Sequence, residues 1–214
     1  QSYLMIEVMI DEGHVKDMFS PAKADKQQME LLQLRSREYM VELDERRLVM
    51  LWSLHSQADM SVYEYELNQW YEVMRRLRIV HIGYAVKPEN ETLYPVFQAL
   101  DEKVRLYRTF AESSWLPPSF KPEESDLTDV WTEIRVAEVS IKKGEIHKIN
   151  EIVQTIIAKL KTKPLTFNQM DVFLNDVAYS LRYKLLYDDA YHAEGEHEPQ
   201  LSGILTYEQL SERL

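Results

Sequence analysis

Between Ala22 and Ala58 the chain runs without a glycine or a proline, and strong helix formers dominate the stretch. The whole chain of 214 residues holds only 5 glycines, where average usage of about 7% would give about 15. So few permissive turn positions argue against sandwiches, Rossmann domains and phosphate-cradling loops. Apolar residues make up 45% of the chain, enough for a folded core. The absence of cysteine excludes disulfides, thiolate metal sites and a cysteine nucleophile.

Hydrophobic period then points to helix along most of the chain. Tyr3 to Phe19 reads as a short amphipathic stretch stopped by Ser20-Pro21. After it, 22–58 reads as one long helix. Ser61-Val-Tyr-Glu64 has the capping-box pattern, and Tyr63, Leu67, Trp70, Met74 and Leu77 form one helical face. Phe97, Leu100, Val104, Tyr107 and Ala111 repeat that spacing. The β-rich run Ile79 to Val86, ending in the turn-like Lys87 to Glu91, leaves room for a short β-hairpin near 79–95.

Residues 113–125 hold three prolines and no periodicity, which predicts a linker. A helix closed by Gly144 follows, with a hairpin through Arg135 to Ile146 as the competing reading. A helix from Ile146 to Leu160 comes next, then one opened by Thr166-Phe-Asn-Gln169 and a terminal turn opened by Thr206-Tyr-Glu-Gln209. The expected fold is therefore mainly α: a helical bundle-like N-terminal unit over 1–112, the linker, and a smaller helical C-terminal unit over 126–214, with packing as one domain left open.

Two of these segments are apolar on opposite sides when wound at about 100° per residue. On the helix opened by Thr166, Met170, Leu174, Val177, Leu181 and Leu185 make a core stripe. Val172, Tyr179, Tyr183 and Leu186 lie opposite, with Tyr187 extending the line. On the long helix, Leu34, Val41, Leu48, Trp52 and His55 oppose Leu32, Tyr39, Met40, Leu43, Met50 and Leu54. A second apolar face is either internal core or a surface that another chain covers. Tyrosine suits the latter, because its ring buries area while its hydroxyl remains wettable.

No motif specifies a reaction. No glutamate is followed by histidine three residues on, as the di-iron bundle requires. Glu42-Leu-Asp-Glu45 lacks the second acidic motif that would complete a magnesium site, and His192, Glu194, Glu196, His197 and Glu198 read as a solvated acidic loop. The expectation is a non-enzymatic interaction module, an adaptor or regulatory subunit that associates with another protein, itself included, through Val172, Tyr179, Tyr183, Leu186 and Tyr187. No cofactor or metal is expected. One alternative is a nucleic-acid accessory or transcription-regulating protein with a winged-helix-like unit at about 61–97, using Arg75, Arg76 and Arg78. Glu64, Glu66 and Glu72 on that helix, and a net charge of −11, oppose phosphate binding. The other alternative is a helical-bundle enzyme with an unrecognised site. With no long apolar run and no signal-peptide pattern, an intracellular protein, cytoplasmic or nuclear, is expected.

Overall fold

The computed structural model describes residues 2–19, 39–54, 60–187 and 206–213. The chain divides into two units, Gln1–Lys121 and Pro122–Leu214.

The first unit overturns the mainly α, helical-bundle expectation. It holds a five-stranded mixed sheet, and the fold is α/β. The strands are β1 (Ser2–Ile10), β2 (Tyr39–Asp44), β3 (Arg47–Leu54), β4 (Val80–Lys87) and β5 (Ser114–Leu116). Their order is β2-β3-β1-β4-β5. β1 is antiparallel to both of its neighbours, β2 and β3 form a hairpin, and β5 joins β4 in parallel. Helices α1 (Met60–Met74) and α2 (Leu93–Tyr107) link β3 to β4 and β4 to β5.

The sequence explains the strands once alternation replaces helical winding. In β1, Leu4, Ile6, Val8 and Ile10 point to one face, where they pack with Leu67, Trp70 and Tyr71 of α1. Met5 and Met9 point to the other, with Leu100 and Val104 of α2. Leu48, Met50, Trp52 and Leu54 of β3 take the α1 face, and Val49 and Leu51 take the α2 face. A strand buried on both faces is apolar at nearly every position. Winding such a run at helical pitch scatters it over all sectors and creates two apparent stripes. The expected helix over 22–58 is thus the β2–β3 hairpin over 39–54, and the rest of that stretch, with His55, lies outside the described residues.

The hairpin turn contains neither glycine nor proline. Asp44 replaces them: its carboxylate accepts the Arg46 N–H at 2.9 Å and Arg47 Nε at 2.6 Å, an Asx-type closure. The expected hairpin near 79–95 does not form, because β4 lies between β1 and β5 and runs on into α2. Gly83 on β4 marks the close approach of α2: a Cβ there would stand 2.4 Å from Val104 Cγ2. The β3–β4 and β4–β5 connections step the same way across the sheet between parallel strands, yet α1 and α2 cover opposite faces. One of the two crossovers must therefore be left-handed, against the usual rule.

The second unit is helical: α3 (Thr128–Lys142), α4 (Ile149–Lys161), α5 (Phe167–Tyr187) and α6 (Tyr207–Arg213). α3 ends in a turn with Gly144 at φ 71° and a 3-10 turn at Ile146–Lys148 leads into α4, so the hairpin reading of 135–146 is replaced by helix. Lys159 reaches Glu133 at 2.6 Å and Lys163 reaches Asp129 at 3.0 Å, which sets α3 and α4 antiparallel. Trp131 packs edge-on to Phe173, and Ser180 donates to Glu138 at 3.1 Å. Both pairs share one sequence offset, so α3 and α5 run parallel. Two capping boxes are made in full, Thr166 with Gln169 and Thr206 with Gln209. Ser61-Val-Tyr-Glu64 is not one: α1 begins at Met60, and Glu64 instead accepts the Tyr84 hydroxyl at 2.9 Å.

Candidate functional site

The α2 face of the sheet carries buried charge. Alternation along β1 sends Glu7 to that face, and Asp11 follows one residue beyond the strand. His81 of β4 and Ser114 of β5 complete the group. All are buried, Glu7 and His81 fully.

His81 lies between Asp11 and Ser114, with Nε2 3.0 Å from Asp11 Oδ1 and Nδ1 2.6 Å from Ser114 Oγ. Ser114 Oγ also accepts the Thr109 N–H at 2.9 Å. These partners assign the tautomer: Nε2–H donates to the Asp11 carboxylate, and the Ser114 hydroxyl donates to Nδ1. Burial holds the His81 pKa below the ordinary histidine value, with Asp11 pulling the other way. Arg108 Nε stands 3.8 Å from Asp11 and its pKa is lowered, again chiefly by burial.

A serine, a histidine and an aspartate in line resemble a nucleophile relay in composition. The chemistry is different here. A relay needs a serine oxygen open to substrate and a histidine free to take its proton. Ser114 is buried with its hydroxyl engaged on both sides, and His81 has no exposed surface. The line is a latch that fastens the three-residue strand β5 to β4 and to the end of β1. Sequence reasoning missed it because its members are spatial neighbours far apart in the chain, and no local signal marks them.

Glu7 sits opposite Val49 of β3 and Gly83 of β4. No N–H or O–H donates to either of its oxygens. Asp101 of α2 stands beside it, and two carboxyl groups bond only when one keeps its proton. Burial first, then Asp101, raises the Glu7 pKa to about 8, against the pull of Arg47 and Arg105. Arg47 itself bridges two elements, reaching Asp44 at 2.6 Å and Asp101 at 2.6 Å.

The second candidate is the sheet edge. Among the described residues β2 has a strand neighbour on one side only. Tyr39, Met40, Val41 and Leu43 are 65%, 52%, 56% and 38% exposed. Opposite Leu51 and Val49, Tyr39 and Val41 fall on the α2 face, and Met40 falls on the other. Natural edge strands are usually blunted by lysine, proline or a bulge. β2 has no lysine or proline; its blunting devices are two acids, Glu42 and Asp44, and the register shift between them at its end.

The residues singled out from sequence fall as follows. Val172 and Tyr179 lie on one outward face of α5, 52% and 71% exposed. The side chains of Tyr183, Leu186 and Tyr187 lie outside those described, as does the acidic loop around His192. Arg75 pairs with Glu72 at 2.7 Å, Arg78 reaches Asp17 at 3.8 Å, and Arg76 is exposed. Two of the three arginines thus face acids on the protein itself, and the turn after β4 supplies no hairpin wing. Among the described residues there is no group of three or more metal-ligating side chains, and no helix long and apolar enough to cross a membrane. No protein-family model, curated protein or solved structure matches the chain.

Proposed function

We propose that this protein is a non-enzymatic interaction module that self-associates through β2, which has a strand neighbour on one side only among the described residues. The observation that carries the reading is β2, an edge strand with four exposed apolar side chains. Strand addition at such an edge draws affinity from main-chain hydrogen bonds and selectivity from alternate side chains.

A second copy is a suitable occupant because the strand is self-complementary. Paired antiparallel about Val41, two copies set Val41 against Val41, Tyr39 against Leu43, and Met40 against Glu42. No like charges meet within 39–43, and an aromatic–aliphatic cross-strand pair forms at each end, each contributing about 0.2–1 kcal/mol. The pairing is isologous and closes after two copies. The exposed Val172 and Tyr179 on α5 offer a second face for an adaptor or regulatory subunit.

Size-exclusion chromatography with light scattering tests the reading. The expected result is a concentration-dependent dimer that Val41→Lys weakens at least tenfold, by facing lysine with lysine at the axis. Tyr179→Ser leaves that dimer in place. A strict monomer at several hundred micromolar would overturn the proposal.

A further inference from the structure

We infer that Glu7 and Arg47 form a proton-linked control on the β2–β3 hairpin, holding the docking edge in place while Glu7 is protonated and loosening it when Glu7 ionises. The inference deepens the edge-docking reading and rests on it for its biological consequence, but its physical basis is separate.

The argument starts from Arg47. One guanidinium ties the hairpin turn, through Asp44, to α2, through Asp101. The turn is also docked at its base, where Arg46 O accepts the Ile10 N–H at 3.0 Å and Glu45 O accepts the Val15 N–H at 2.7 Å. Glu7 lies beneath this bridge with no exposed surface and no donor to either oxygen. A protonated Glu7 is compatible with that setting, since its hydroxyl can donate to Asp101. An ionised Glu7 repels Asp101 and attracts the nearest mobile cation.

The charged groups facing Glu7 come from every side. β3 supplies Arg47, and α2 supplies Asp101 and Arg105. Arg108 follows α2 and is bound into the Asp11 network. β4 presents Gly83 directly opposite, with His81 two residues earlier occupied by Asp11 and Ser114. Arg105 is half-exposed, 3.4 Å from Asp101, and attracts Glu7 less strongly than the more buried Arg47 does. Arg47 is therefore the cation whose movement would satisfy a new buried charge, and moving it withdraws the side-chain bond to Asp44 that helps close the turn.

The test is amide exchange on the full chain, dilute enough to be monomeric, from pH 6 to 9 and corrected for intrinsic rates. Protection at Arg46 and along 39–43 should fall about tenfold further than protection in α1 as the pH of the wild type passes 8, because α1 reports only the global loss of stability. Glu7→Gln should keep that protection constant. Identical profiles in the two proteins, or equal loss throughout the first unit, would overturn the inference. A carbon-13 titration of the wild-type Glu7 carboxyl gives a second readout that needs no variant: a midpoint in the ordinary glutamate range, or one that does not coincide with the loss of hairpin protection, overturns the inference. Because exchange is read on monomers, a failed dimerisation test with an intact pH response refutes the docking reading alone.

Discussion

The sheet face beneath α1 and the face beneath α2 are made from the same strands, yet they hold their helices differently. Under α1 the contacts are apolar and aromatic: Trp52 packs on Tyr63 and Trp70, and Trp115 packs on Tyr71 and Tyr84. Under α2 the apolar patch of Met5, Val49, Leu100, Val104 and Leu116 is flanked by Glu7, Asp11, His81 and Arg108. The first face is limited by volume. The second is limited by charge, so its contribution to stability changes with pH.

That contrast can be broken or sharpened by four substitutions. The largest effect is expected on the apolar face. Leu67 is fully buried, and Leu67→Ala should cost about 2–5 kcal/mol, with the same loss in urea denaturation at pH 5 and pH 8. A loss that varies strongly between those two pH values would contradict the division.

Glu7→Gln comes next and has the opposite sign. The folded pKa of Glu7 is about 8, above its unfolded value of 4.5. Its contribution is thus complete below pH 4.5 and lost as pH rises through 8. Near pH 8.5 the variant should be more stable than wild type by about 2–4 kcal/mol, with the difference vanishing near pH 4.5. His81 acts in the other direction: its folded pKa is lowered, so its contribution is intact above the unfolded value of 6.5 and lost as pH falls. The variant should therefore keep the acid-side loss of stability while losing the alkaline one. Denaturation midpoints across pH 4–9 resolve the two limbs.

Gly83→Ala should cost about 1–3 kcal/mol by pushing Val104 away, the overpacking range, and should not vary with pH. Thermal unfolding at two pH values checks it. The smallest effect is expected at Ala111, whose φ of 59° is left-handed. Ala111→Gly should stabilise by about 0.5–1 kcal/mol, since it relieves the turn that returns the chain to Ser114. A destabilised variant in the same thermal assay would mean that the methyl group packs there.

The helical unit was largely legible because its signals are local. Thr166 and Gln169, Thr206 and Gln209, and Gly144 lie within a turn of the boundaries they set, and Ile152, Ile156 and Leu160 repeat at helical spacing. The sheet was not legible, because strand pairing is decided between distant segments. Leu48 to Leu54 is apolar at almost every position, a pattern that periodicity cannot divide between buried strand and helix. Its turn is closed by an Asp44 side chain rather than by the glycine that marks most tight turns. Of the candidate sites, Tyr179 was visible as an aromatic on a helix face, and Tyr39 and Val41 were noticed but wound onto the wrong element. Glu7 stands alone as a charge within the apolar run Leu4 to Ile10, and one acid at an inward strand position is the signal for the buried seam.

The central position of β1 has a consequence for how the protein comes into being. β1 precedes every strand it pairs with: residues 47–54 complete one side and residues 80–87 the other. During synthesis its apolar ribbon emerges well before either mate, so its backbone groups wait for partners that the ribosome has yet to deliver. Slowing translation between the codons for Ile10 and Lys87 should lengthen that wait and raise the demand for chaperone capture of the nascent chain.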